Sequence, residues 1–507
     1  MMSLQRGPKY LYYTFVAIAV FLVGILVGRS ALGVVLFVLL GAVFLLLLLR
    51  PMLWFHVTLV SAFLASPTLF PYGLPIGVTV YVYELTLAGS LIFGLLLLRR
   101  PKHASTSMPW VIENKQVTTS LKLYWTPMVA VVIFGVLSGL IRGYDKFEVL
   151  GDMRTTYDVA GGAAFVVLAA RLGFLRKLGQ TWLYVMIASA LLITLSSATG
   201  FPLNGRSLSA QLYRAGGGML GAQASANRIL TPTTAAALAT LAFIVAASVR
   251  GVRIPYSQSL LRVATIACIL ISFFSFSRNA LLALGASLLT ATLVCLISGK
   301  FKIVLRASMR VTLIAVGTLA TFAAFAFLPL GNSFVGAQIS AYSERVVDGL
   351  SPSSRADDSS TQDRLQEDRY MAAGIRQHSI VGSGFGFAYK PAMGPANEFA
   401  ADQGRFYAHN FHLWVLLKTG VLGLGAWTLL NLGLTVRAMM GWDSGLGVAL
   451  AGTSVAFLAV MAVSPTPLDF PGSLLYGLLV GLLLIVGNRG KSTLPMVRAR
   501  SSQLARL

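Results

Sequence analysis

Charge is scarce in this sequence. Only 11% of its residues are charged, against roughly 25% in soluble domains, so most of its surface cannot face water. Acids are rarer still, with 17 Asp and Glu against 40 Lys and Arg. Cysteine is almost absent. Cys268 and Cys295 both fall in apolar runs, which excludes a disulfide framework and leaves them as small buried hydrophobes. There is no repeat of fixed period, and no low-complexity tract beyond the Leu-rich 45–49.

What the chain has instead is hydrocarbon. Hydrophobic residues make up 56% of it, and the mean hydropathy is +0.76. The apolar runs approach the roughly 20 residues that cross a bilayer. Candidate spans are 10–28, 31–49, 52–70, 78–98, 123–141, 156–170, 180–198, 229–249, 261–277, 279–298, 311–330, 410–436, 445–463 and 472–487. Allowing for half-spans, this predicts an all-α, polytopic transmembrane bundle of about 12–14 spans, by the length a bilayer requires. The basic N-terminal start (Arg6, Lys9) and the apolar run after it read as a first span rather than a removed signal.

The net charge of +23 raises the question of nucleic acid. Alternating through the spans from a cytoplasmic Met1 places essentially the whole excess on cytoplasmic ends and loops. That is the positive-inside pattern of a plasma-membrane protein, and it needs no nucleic-acid partner. Anionic membrane lipids are the expected neighbours of that face.

Three segments on the opposite side are polar: 142–155, 199–228 and the long 331–408. They divide the chain into a first part of the bundle (1–330), a long extracytoplasmic loop containing short helices (331–408), and C-terminal spans with a basic tail (409–507). Within the long loop, 363–378 is rich in helix formers, and Arg364 and Asp368 would share a face there. Gly382-Ser383-Gly384-Phe385-Gly386-Phe387 reads as a tight, non-helical turn. A loop of this length in a membrane protein is functional more often than idle.

Several residues carry candidate chemistry. His409 and Asn410 stand where the loop enters a span; the helix dipole there favours the neutral imidazole that a general base requires, although both residues would also serve simply as caps. His412, three residues on, makes a metal pair conceivable, but a zinc site wants a third protein ligand. Arg278 interrupts two apolar segments at an interface, as a functional charge or as a snorkelling helix end. Arg364, Arg369, Arg376 and Arg405 in the long loop, with Arg206, Arg214 and Arg228 from 199–228, offer guanidinium forks to phosphate oxygens, or are ordinary solvated charges. Glu84 and Lys418 are isolated ionisable residues inside spans that could pair or relay a proton.

His409-Asn410, nine residues, Gly420, two residues, Gly423 resembles the His-Asn-x9-Gly-x-x-Gly signature of the O-antigen ligase family, which includes O-antigen polymerase-like proteins. Arg364 followed by His378-Ser379-Ile380-Val381-Gly382-Ser383-Gly384 is similar to the family's Arg…His-Pro-x-x-Gly-x-Gly segment, and Ser277-Arg278-Asn279-Ala280 to its Ser-Arg-x-Ala segment. Leu74-Pro75-Ile76 followed by Tyr83-Glu84-Leu85 is in the same style. Ser379 replaces the usual proline, and Asp368 stands near where tryptophan is common.

The resemblance implies a metal-independent glycosyltransferase without cofactor. It would move a glycan from a polyprenyl-pyrophosphate donor to an acceptor hydroxyl on glycan, lipid or protein, at the extracytoplasmic face. His409, Arg278 and Arg364 would be catalytic; Asn410 and the remaining arginines would bind substrate. The alternatives are a protein O-oligosaccharyltransferase on the same scaffold, or a transporter or flippase using Glu84 and Lys418.

Overall fold

The computed structural model describes residues 46–47, 49–67, 73–76, 78–98, 119, 121–209, 227–252, 254–302, 305–306, 309, 334–347, 359–393, 403–440, 445–469 and 471–486. The expected spans 10–28 and 311–330, nearly all of 31–49, and Arg214 lie outside them.

The described elements form a helical bundle. In chain order they are α1 (Leu53–Phe63), the strands β1 (Gly73–Ile76) and β2 (Val78–Tyr81), α2 (Val82–Leu98), α3 (Thr126–Ile141), α4 (Lys146–Arg171) and α5 (Leu175–Thr199). A second strand pair, β3 (Arg206–Ser209) and β4 (Asn227–Leu230), leads to α6 (Thr233–Arg250), α7 (Gln258–Phe274) and α8 (Asn279–Ile297). Then come α9 (Phe334–Tyr342), α10 (Ser359–Gln377), α11 (Phe411–Met440), α12 (Gly445–Met461) and α13 (Gly472–Ile485). Both strand pairs are antiparallel hairpins.

Five helical stretches are long and apolar enough to cross a membrane: Lys122–Ile141, Leu175–Thr199, Thr233–Arg250, Asn279–Ile297 and Phe411–Met440. Their outward positions are apolar too. Ile133, Leu191, Leu289 and Val421 are all exposed, which suits hydrocarbon and not water. Inside, small residues let backbones approach: a Cβ on Gly477 would lie 2.4 Å from the Val159 carbonyl oxygen, so α13 packs directly on α4. The chain is an all-α polytopic membrane bundle.

The main departure from the expected spans is α4. It begins at Lys146 and runs to Arg171, ten residues ahead of the 156–170 expected. Asp145 starts it, its carboxylate accepting from the Phe147 and Glu148 amides. Hydropathy misses this first part because charges such as Asp152 and Arg154 interrupt the apolar run, yet both are buried. Most of the supposed loop 142–155 is therefore bundle helix.

Contacts gather the polar connections at one end. The Asn204 amide donates to the Ser66 carbonyl, Gln338 to Ser197 at the end of α5, Arg228 to the Ser275 carbonyl at the end of α7, and the Tyr407 hydroxyl to Asp469 between α12 and α13.

Candidate active site at the polar end of the bundle

Helix α11 carries the site's entrance, and its geometry comes from a break. Gly420 has φ 68° and ψ −169°, so the helix is interrupted there. The carbonyls of Leu417 and Lys418, orphaned by the break, accept from the Ser383 and Gly384 amides at 2.8 and 2.9 Å, and the Val421 amide donates to the Ser379 carbonyl at 2.9 Å. The glycine-rich turn thus fills the break with backbone bonds. Only glycine fits: a Cβ on Gly420 would stand 2.1 Å from the Ile380 oxygen, and one on Gly382 2.4 Å from the Lys418 oxygen. The first glycine of the His-Asn-x9-Gly-x-x-Gly pattern is a backbone requirement, and the turn is the tight, non-helical one expected.

This turn fixes α10 against the start of α11. Glu367 on α10 is 4% exposed, and its Oε2 accepts from both His409 Nδ1 (2.8 Å) and the His409 backbone amide (2.9 Å). Its Oε1 accepts from Lys390 Nζ and, at 2.9 Å, from the Tyr389 hydroxyl. Burial alone would raise this carboxyl, but the bonds from His409 and Lys390 outweigh it and hold the pKa down at about 2. Burial, then the Glu367 charge, push the neighbouring Asp368 up and the Tyr389 phenol well up.

An ionised carboxylate can only accept, so Nδ1 of His409 carries the hydrogen and the neutral ring keeps its lone pair on Nε2. The imidazole is 39% exposed, with the Tyr407 ring edge-on at 5.6 Å. His409 is thus held through both its ring and its backbone amide by one buried carboxylate. Asn410 does what a cap does, its Oδ1 accepting from the Leu413 amide at 3.2 Å. His412 turns into the bundle, with Nε2 3.0 Å from the Leu458 carbonyl. Among the described residues no three His, Cys, Asp or Glu gather as a metal site would require.

The arginines divide. Arg364 is half-buried on α10, one turn before Glu367, while Arg369 and Arg376 are exposed on the same helix. Arg405 lies in the turn before His409, its Nε 3.5 Å from the Lys390 carbonyl. Arg278 belongs to a second group: its Nε donates to the Arg345 carbonyl at 2.9 Å, close to where Arg228 Nε meets the Ser275 carbonyl. The Ser275–Arg278 corner holds Phe276 at φ 46°, a left-handed conformation rare for a bulky side chain. Arg206 lies in β3, opposite Leu230.

Neither intramembrane ionisable is isolated, as the sequence suggested. Glu84 accepts from Arg154 Nε at 2.6 Å and from Tyr157, and Lys418 donates to Asp152 and to the Phe387 carbonyl. Both partners come from the first part of α4, which the hydropathy pattern assigns to a loop. The sequence reading likewise missed Glu367 as a site residue; its place one turn after Arg364 on an amphiphilic helix was the only signal.

The fold and this end of the bundle define a multi-pass membrane protein with a histidine–carboxylate pair where a polar segment meets a transmembrane helix. A family model described as O-antigen ligase matches residues 263–428, a stretch that contains the Arg278 corner, α10, the glycine turn, the His409–Glu367 pair and the break in α11. Over this stretch the chain is similar to the O-antigen ligase family, and the resemblance read from the motifs is borne out. No curated protein matches the chain.

Proposed function

We propose that this protein transfers a glycan from a polyprenyl-pyrophosphate donor to an acceptor hydroxyl at the extracytoplasmic face of the plasma membrane, as a ligase or polymerase of cell-surface polysaccharide. The observation that carries the reading is the His409 imidazole, pinned through Nδ1 by buried Glu367 and itself 39% exposed. Pyrophosphate is a good leaving group, so the chemistry left to the protein is modest. Nε2 takes the acceptor hydroxyl proton, the acceptor oxygen bonds to the anomeric carbon, and the carbon–oxygen bond to pyrophosphate breaks with its electron pair on phosphate. A well-placed base contributes about 10²–10⁴-fold, and Glu367 stabilises the imidazolium that forms.

Arg278, Arg364 and the neighbouring arginines supply fixed positive charge to the pyrophosphate, which permits transfer without a metal ion. The charge asymmetry of the sequence supports the extracytoplasmic placement. The ion pairs of Glu84 with Arg154 and Lys418 with Asp152 speak against a transporter that couples through either residue.

The test is transfer from a lipid-linked glycan donor in membranes containing His409→Ala or Arg278→Ala protein at wild-type level. Loss of product is expected from both; wild-type product from both would end this reading. In cells lacking the protein, accumulated lipid-linked polymer identifies a ligase and single attached repeat units identify a polymerase.

A further inference from the structure

Lys418 is fully buried, two and a half turns into α11 from His409, and it meets α4, the glycine-rich turn and the segment before His409. Its Nζ donates to Asp152 Oδ2 of α4 at 2.5 Å and to the Phe387 carbonyl at 2.9 Å. The same Asp152 oxygen accepts the Gly386 amide at 2.7 Å. Phe387 lies two residues before Tyr389, which with Lys390 holds Glu367. On the other side the Lys418 ammonium lies 5.5 Å from the Phe406 ring and 5.6 Å from the Trp414 ring, and the Trp414 indole donates to the Phe406 carbonyl at 2.9 Å. Phe406 is three residues before His409. The backbone carbonyl of Lys418 completes the pattern by accepting the Gly384 amide across the break in the helix.

A buried ion pair is weak support for stability, because desolvation of both charges offsets their attraction, and apolar replacements of similar volume often fold as well. What such a pair does supply here is direction. It ties the turn after α10, the break in α11 and the segment before His409 to one point on α4. We propose that Lys418 and Asp152 are positioning residues, a clamp that holds the Glu367 segment and the His409 segment at reacting distance. This rests on reading His409 as the base, and it assigns to the two residues a role in the rate and not in the fold. Neither touches substrate; both act through His409 and Glu367.

Removing both charges together separates the two roles. Lys418→Met alone leaves a buried carboxylate without its cation and is expected to lower the amount of folded protein. The double variant Lys418→Met/Asp152→Leu leaves no stranded charge and is expected to restore membrane level and thermal stability. Its kcat should nevertheless stay about 10²-fold down with KM within about twofold, the scale of a misplacement near 1 Å. Hydrogen exchange at the Ser383, Gly384 and Val421 amides should speed up at least tenfold in the same protein, while amides of α13 stay unchanged. Recovery of kcat in the double variant, or unchanged exchange at those three amides, would overturn the clamp. Should the double variant not reach the membrane, Asp152→Asn carries the test: it keeps an acceptor for Gly386 but loses the charge that holds Lys418. A kcat about tenfold down at unchanged KM is then expected, and an unchanged kcat overturns the clamp. The exchange measurement needs no substrate, so the clamp stands or falls separately from the result with His409→Ala.

Discussion

Glu367 and Asp152 stand at the same end of the bundle, and each holds a basic side chain within 2.8 Å, yet their surroundings separate them. Asp152 sits in helix α4 with its cation fully buried, and every donor it meets belongs to the framework: Lys418 and the Gly386 amide. Glu367 is buried like Asp152, but the imidazole it holds is 39% exposed. Similar ion-pair geometry thus leaves one basic group sealed in the framework and the other partly open to solvent. What decides is whether the rest of the basic side chain faces protein or solvent. His412 makes the same point within one turn of His409, since its Nε2 is met by the Leu458 carbonyl.

The sharpest way to break this comparison is at His409. Replacement by alanine should lower transfer by about 10²–10⁴-fold, the range for a lost general base, with normal protein in the membrane. Next comes the frame. Gly420→Ala puts a Cβ 2.1 Å from the Ile380 oxygen at a positive φ, so folded yield, read by size-exclusion chromatography in detergent, should fall sharply. Gly425→Ala, where the added Cβ meets nothing within 4 Å, should be silent.

Glu367→Gln should cost about 10- to 100-fold in kcat, part of the base's contribution, because the amide no longer stabilises imidazolium. It also carries a pH signature. The folded pKa of about 2 lies below the unfolded value near 4.3, so the stability from ionised Glu367 is complete above about pH 4.3 and gone below about pH 2. Thermal denaturation should show wild type above Glu367→Gln at pH 7, with the gap closing from about pH 4.3 toward pH 2; a gap that is constant over that window would contradict the depressed carboxyl. The smallest effect is expected from a chelator, which should leave transfer unchanged. Strong inhibition reversed by added metal would instead point to a bound ion at His409.

The membrane class and the positions of most helices were legible in the chain, since apolar runs of bilayer length leave few other folds. Within a residue or two, α8, α12 and α13 are where hydropathy puts them, and α11 runs four residues past its expected end. The first part of α4 was illegible for a physical reason. Its charges read as a loop by composition, and only their partners, Glu84 from α2 and Lys418 from α11, make them compatible with burial. The site was half legible in the same sense. The His-Asn-x9-Gly-x-x-Gly spacing pointed to His409 and to Gly420, because a helix start and a helix break leave marks along the sequence. Glu367 left none, being one of several acids in a polar stretch.

By itself, then, the sequence determined that this protein lies in a membrane and where polar segments meet hydrocarbon; these follow from local composition and length. Tertiary structure alone decided which carboxylate meets which cation. Those pairings join residues as far apart as Asp152 and Lys418, and no local pattern encodes which of several acids will be brought within reach.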